Sequence, residues 1–196
     1  MRRSAALVLA SVWMTAGCSA LGPMAWPPKD GPARVATPSL PPMVYGVYLD
    51  NDVGAINFAA WAFAAPSNTR GNPAEAARAI IAVEYLAGEL VDNPRWVEID
   101  SNTKFRLRQA RDAVRQVVGI RDDAPPQVVV DALLAFVADM GSGDVATASA
   151  VLAAPLFSRG PQATFETLAN LPYVQQANLA TSRVAAQALH SGGSAG

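Results

Sequence analysis

From Val53 onward, apolar residues recur at steps of three and four, the period of a helix with one face turned to a core. Asp50 or Asn51 can cap a first helix that runs to Ala65 and is ended by Pro66. Between Val53 and Ala65 only Asn57 is polar, and the run is too short to span a bilayer, so it reads as a buried core helix, with a membrane-contact surface as the alternative. A second helix opens at Asn72-Pro73, with Glu75 placed to reach back to the cap, and carries Ala76, Ile80, Val83, Ala87 and Leu90 on one face. A third is predicted from Pro94 to just before Gly119, a residue suited to a left-handed cap. Its face is Trp96, Ile99, Thr103, Leu107, Ala110, Val114 and Val117.

Pro125-Pro126 opens a strongly apolar fourth helix. Val129, Leu133, Phe136 and Met140 form one stripe, Val130, Leu134 and Val137 the next, and only Asp131 and Asp139 are charged. That pattern places it at the centre of the domain. Gly141-Ser142-Gly143 breaks it; short helices follow near Asp144–Ala154 and Pro161–Asn170, and a last one runs from Pro172 to about His190. Met43–Leu49 favours extended backbone but has no strand to pair with, so it reads as an arm packed on the helices. The expectation is an all-α fold, a single compact bundle of six to seven helices over 43–190. A proline-rich linker over 18–42 precedes it, where helix and central strand are both blocked, and a disordered tail over 191–196 follows it.

The start of the chain has a different grammar. Arg2-Arg3 is followed by an apolar run from Ala5 to Met14, then Thr15-Ala16-Gly17, then Cys18. This is the charged, hydrophobic and small-residue order of an export signal. Residues 15–18 resemble the lipobox of bacterial lipoproteins, with Thr15 where leucine is usual. The resemblance covers the leader alone. It implies that residues 1–17 are a signal peptide and that Cys18 becomes an acylated N-terminus, since several acyl chains anchor a protein stably where one does not. Ser19, in place of aspartate, implies sorting to the periplasmic face of the outer membrane. Ordinary cleavage at Cys18-Ser19-Ala20, releasing a soluble periplasmic protein, is the alternative. A lone cysteine can also be an intermolecular disulfide partner or a free thiol.

Charge narrows the classes further. The whole chain carries 15 basic and 16 acidic residues, and losing Arg2 and Arg3 makes it more acidic, which argues against nucleic acid as a partner. Most charges lie between Arg70 and Asp144; from Val145 to Gly196 only Arg159, Glu166 and Arg183 are charged. Such a segment is either buried or faces a partner.

Catalytic chemistry is hard to find. The sole histidine, His190, stands next to the predicted tail, badly placed for acid–base work. One histidine and one cysteine do not make a zinc site. Asp50-Asn51-Asp52 starts like a calcium loop but lacks the later glycine and glutamate, so helix capping explains it. Gly141-Ser142-Gly143 lacks the lysine of a phosphate loop. Glu84 and Glu89 lie about 140° apart on a helix and do not converge. Asp122-Asp123 sits where a helix N-terminus attracts negative charge. Residues 132–157 resemble a tetratricopeptide hairpin in the small residues of its turn. The signature tryptophan, glycine and tyrosine are missing, and there is no second copy.

One constellation remains. Lys104, Arg108, Arg111 and Arg115 recur at steps of four, three and four, forming a stripe beside the apolar seam of the third helix. Such a stripe suits anionic lipid headgroups, lipopolysaccharide phosphates or an acidic partner; the competing reading is a solvated face partly neutralised by Asp100 and Asp112. No catalytic residue, metal or cofactor is expected. The expected role is structural or adaptor-like, binding a protein or envelope component. A carrier or sensor of an apolar ligand is the alternative, and an enzyme built from carboxylates and arginines is the remote one.

Overall fold

A computed structural model describes residues 37–46 and 50–192. The leader, Cys18, most of the proline-rich segment, Val47–Leu49 and residues 193–196 lie outside the described residues. The described chain is all-α: α1 (Asn51–Ala64), α2 (Pro73–Asp92), α3 (Ser101–Val118), α4 (Pro126–Ser142), α5 (Val145–Val151), α6 (Pro161–Ala169) and α7 (Gln175–Gly192). Single 3₁₀ turns at Pro66–Asn68 and Pro94–Trp96 follow α1 and α2.

Local chemistry explains most boundaries. Asp50, Asn72, Asp100 and Asp144 each accept an amide of the first turn through the side chain, at the starts of α1, α2, α3 and α5. Proline occupies the first turn of α2, α4 and α6, where a missing amide hydrogen costs nothing. Gly119 ends α3 at φ 83°, a conformation that side-chain-bearing residues rarely adopt. The third helix therefore starts seven residues later than periodicity alone predicts. Asp100 caps it, its Oδ1 accepting from the Thr103 amide at 2.8 Å, while Trp96 and Ile99 stay buried ahead of it.

Four helices close a ring. α1 packs on α2, α2 on α3, α3 on α7 and α7 back on α1. Contacts between them set their directions. Asp52 at the start of α1 meets Tyr85 in the second half of α2, and Glu84 of α2 meets Arg115 near the end of α3. Asp100, just before α3, meets Gln187 late in α7. Asn178, early in α7, donates to the Phe63 carbonyl at the end of α1. Neighbours in the ring thus run antiparallel, an up–down–up–down bundle with α4, α5 and α6 inserted between its third and fourth helices. The insert packs on the far side of α2: α4 on α2, α5 on α4, and α6 on α2, α3 and α5. The loop after α3 is tied to the loop after α5 by an isolated bridge between Ile120 and Phe157 and by the Ser158 amide on the Gly119 carbonyl, 2.7 Å.

The centre of the domain is α2, not α4 as its apolar stripes suggest. Fourteen of the twenty residues of α2 are buried, against five of seventeen in α4. The reason is size. Ala76, Ala77, Ala79, Ala82, Ala87 and Gly88 let neighbours approach on every side. In α4 the fully buried apolar side chains are Val129, Val130, Leu133 and Phe136, while Leu134, Val137 and Met140 pack on the core half-buried. Close approach also decides Gly54 of α1, where an added Cβ would lie 2.5 Å from the Cβ of Tyr45. Tyr45 belongs to a tight turn, the Gly46 amide donating to the Met43 carbonyl at 3.3 Å, so this part of the predicted arm is a turn rather than extended. Its ring stacks toward Phe58, and its hydroxyl donates to the Arg78 carbonyl at 3.0 Å.

Phe136 is fully buried and meets Phe165 edge-on, ring centres 6.1 Å apart. Phe136→Ala is expected to cost about 3–5 kcal/mol in urea denaturation, the usual penalty for emptying such a site. A loss under about 0.5 kcal/mol would mean that α4 does not seat on α2.

Candidate functional site

The basic stripe of α3 is divided by its surroundings. Arg115 corrects the expectation of a solvent-facing cation: it is only 3% exposed, and its partner Glu84 in α2 only 1%. Arg115 Nε donates to Glu84 Oε1 at 2.6 Å and Nη2 to Oε2 at 2.8 Å. Its Nη1 turns to the carbonyls of Arg121, Asp122 and Ala124 at 3.3, 3.1 and 2.9 Å. Burial pushes the Glu84 carboxyl up and the Arg115 guanidinium pulls it back. With this donor set committed inside the fold, Arg115 cannot serve an outside anion. Arg111 is 16% exposed and lies 3.4 Å from the Asp112 carboxylate. It lines, with Arg115 and Gln127, a depression of about 330 Å³ beside the start of α4. Asp122 and Asp123 do not cap α4: Asp123 pairs with Arg121 at 2.6 Å, and it is the Asp122 carbonyl that serves Arg115.

Lys104 is half-buried and Arg108 exposed, and between them the sequence reading passed over two residues. Phe105 is 55% exposed at the middle of the outward face. Arg106 flanks it, its Nε enclosed without an acceptor. Lys104, Arg106 and Arg108 form no ion pair among the described residues. The local spelling Lys-Phe-Arg-Leu-Arg was the available signal, because an aromatic residue off the buried period between cations has no core to enter.

A second polar cluster lies where α1 begins, α2 ends and α7 ends. Asp52 is a buried carboxylate. The Tyr85 hydroxyl donates to its Oδ1, while Arg95 Nη1 at 3.0 Å and Trp96 Nε1 at 3.1 Å donate to its Oδ2. Arg95 Nη2 reaches the Asp50 carboxylate at 2.7 Å, and its guanidinium lies 4.9 Å from the Trp96 ring centre. Burial pushes the Tyr85 hydroxyl well above its ordinary range, and the Asp52 carboxylate adds to it. At Asp50 burial raises the carboxyl, but the Val53 amide and Arg95 more than offset it and leave it low. Asp50 caps as expected; Asp52, read from sequence only as part of that cap, organises the cluster. A carboxylate inside an otherwise apolar helix was the sign that it needed buried donors.

Beside this cluster runs a cleft of about 270 Å³, walled by Val53, Ile56, Trp96 and Leu189 with Asn57 and Arg95 at the polar positions. Its size falls just under the usual range for small-molecule sites. A wider, shallower hollow of about 570 Å³ is lined by Val117, Arg159, Glu166 and Thr167. Among the described residues no group of three or more His, Cys, Asp or Glu side chains is placed to hold a metal. None of the described helices is long and apolar enough to cross a membrane. Compared with protein-family models, with curated protein sequences and with solved structures, the chain matches none.

Arg115→Ala is expected to cost about 3–5 kcal/mol, because it strands Glu84 in the core. Combining Glu84→Met with Arg115→Met should recover most of that loss. A single-variant cost below about 1 kcal/mol would mean that the pair is solvated.

Asp100 gives a pH signature. Gln187, then the Thr103 amide and hydroxyl, hold its carboxyl down to about 2, from an ordinary 3.8. A carboxyl lowered by folding stabilises above its unfolded value and loses that contribution as pH falls toward the folded one. Asp100→Asn should therefore lower the urea midpoint at pH 6 and converge with the wild type between about pH 4 and pH 2. A constant offset across that window would contradict the assignment.

Proposed function

We propose that the protein is a lipid-anchored helical adaptor of the bacterial cell envelope. In this reading it is held at the periplasmic face of the outer membrane through Cys18 and binds a protein or envelope component with its helical body. The observation that carries the reading is the leader: Arg2-Arg3, the apolar run Ala5–Met14, and Ala16-Gly17 directly before the sole cysteine. The helical body supports a binding role in a second way. Its interior carboxylates are engaged within the fold, Glu84 by Arg115 and Asp52 by Tyr85, Trp96 and Arg95. Large apolar side chains stand instead on the outside, Phe105 of α3 and Leu179 and Leu189 of α7 among them. The cleft walled by Ile56, Trp96 and Leu189 favours a second reading, a carrier of a small apolar ligand.

Metabolic labelling with a fatty-acid analogue tests the anchor. Label is expected on the wild type and not on Cys18→Ala, and the variant should leave the membrane fraction. An unlabelled wild type would overturn the lipoprotein reading.

A further inference from the structure

We propose that the outward face of α3, centred on Phe105 and continued by Arg183 of α7, docks on an anionic phospholipid surface. From Ser101 to Arg111 the chain carries four cations and no carboxylate. Three of them, Lys104, Arg106 and Arg108, surround Phe105 in sequence and have no ion-pair partner among the described residues. The adjacent helix extends the field. α7 packs along α3, its only Asp, Glu, Lys or Arg is Arg183, and it exposes Leu179 one turn before that arginine. Arg183 stands 3.9 Å from Asp100 at the start of α3, which places the two helices side by side at this level. The acids nearest in sequence are at the ends of the face: Asp100 is occupied by Thr103 and Gln187, and Asp112 by Arg111.

Cations around an exposed aromatic match the layered chemistry of a bilayer surface, phosphate outside and hydrocarbon beneath. The placement fits as well. Phe105 is exposed on a single helical turn with a cation one residue to either side, which puts ring and charges on one helical surface. The inference rests on the lipid-anchored reading for the identity of the surface, since an anchor at Cys18 would hold the face at high local concentration over a bilayer.

The test uses the full chain carrying Cys18→Ala, so that no acyl chain contributes. It measures co-sedimentation with phosphatidylcholine vesicles, with and without phosphatidylglycerol, across a salt series. The leader is present in every variant and cancels in the comparison. The wild type should prefer the anionic vesicles and lose that preference as salt rises, because exposed charges are screened within about 10 Å at 0.1 M. Each cation at such a surface is worth roughly fivefold in affinity, so Lys104→Gln/Arg108→Gln should reduce the preference by about tenfold or more. That pair spares the half-buried Arg106, and unchanged circular dichroism confirms the fold. Phe105→Ser should weaken binding while leaving its salt dependence in place. A double variant that keeps the wild-type preference, or a wild type with none, overturns the proposal. So does salt-dependent binding to polyglutamate without binding to vesicles, which would point to an acidic protein. Fatty-acid labelling at Cys18 is read separately, so loss of this inference and loss of the anchor are distinguishable.

Discussion

The ion pair between Glu84 and Arg115 is the constraint around which the bundle is arranged. Removing two charges from water costs several kcal/mol per ion, and that cost is met only if nearly every donor and acceptor finds a partner. Here Glu84 receives two guanidinium hydrogen bonds, and the rest of Arg115 is spent on three carbonyls of the segment leaving α3. One side chain thereby fixes three things together: the rotation of α3 against α2, the path of residues 121–124, and the point at which α4 begins. A slip of α3 by one residue would turn Arg115 by about 100° and leave Glu84 unpaired. The apolar contacts of α2 and α3 tolerate such slips far better than the pair does, so the pair supplies the specificity and the apolar contacts the bulk of the stabilisation.

The helices were largely legible because their starts are written locally. Asn72-Pro73, Pro125-Pro126 and Pro161 act through their own backbone and the next turn, and a single sequence contains all of that information. What is not local was not legible. Periodicity places Lys104, Arg108, Arg111 and Arg115 on one stripe, but the stripe passes from solvent at Arg108 to the core at Arg115 because α2 covers only its lower end. The partner that decides this, Glu84, lies thirty-one positions away. A trace of it is visible in hindsight: Glu84 interrupts the run Ile80-Ile81-Ala82-Val83 and Tyr85-Leu86, where a carboxylate survives only beside a cation. The same logic misplaced the centre of the fold. Hydrophobicity ranks α4 above α2, while burial follows the small residues that allow approach from all sides.

The two ends of the charge inventory also separate two kinds of work. Arg95 bridges Asp50 and Asp52 and so closes the end of the bundle where α1 starts and α7 finishes, with Trp96 packed beneath it. Asp100 does the same between α3 and α7, accepting from Thr103 and Gln187 at once. Polar residues at this end cap helices and join neighbours in the same contacts, which explains why Asp50 and Asp52, the acids that resemble a calcium loop in sequence, are engaged in structure.

Once those internal uses are subtracted, three of the cations left over stand together on α3. Arg78, Arg95, Arg115 and Arg121 each face a carboxylate within 4 Å. Lys104, Arg106 and Arg108 do not among the described residues, and they lie within about one turn of one helix beside another that carries no acid. A chain with slightly more acids than bases had carboxylates available to neutralise them. Folding places those carboxylates elsewhere, beside Arg95 and Arg115 and at helix starts, where they have structural work. A positive face that survives on a net acidic protein, with an aromatic ring exposed at its middle, presents a field that repels like charge and gathers anions. Because Lys104, Arg106 and Arg108 have no ion-pair partner among the described residues, no salt bridge of theirs there must break when an anion arrives.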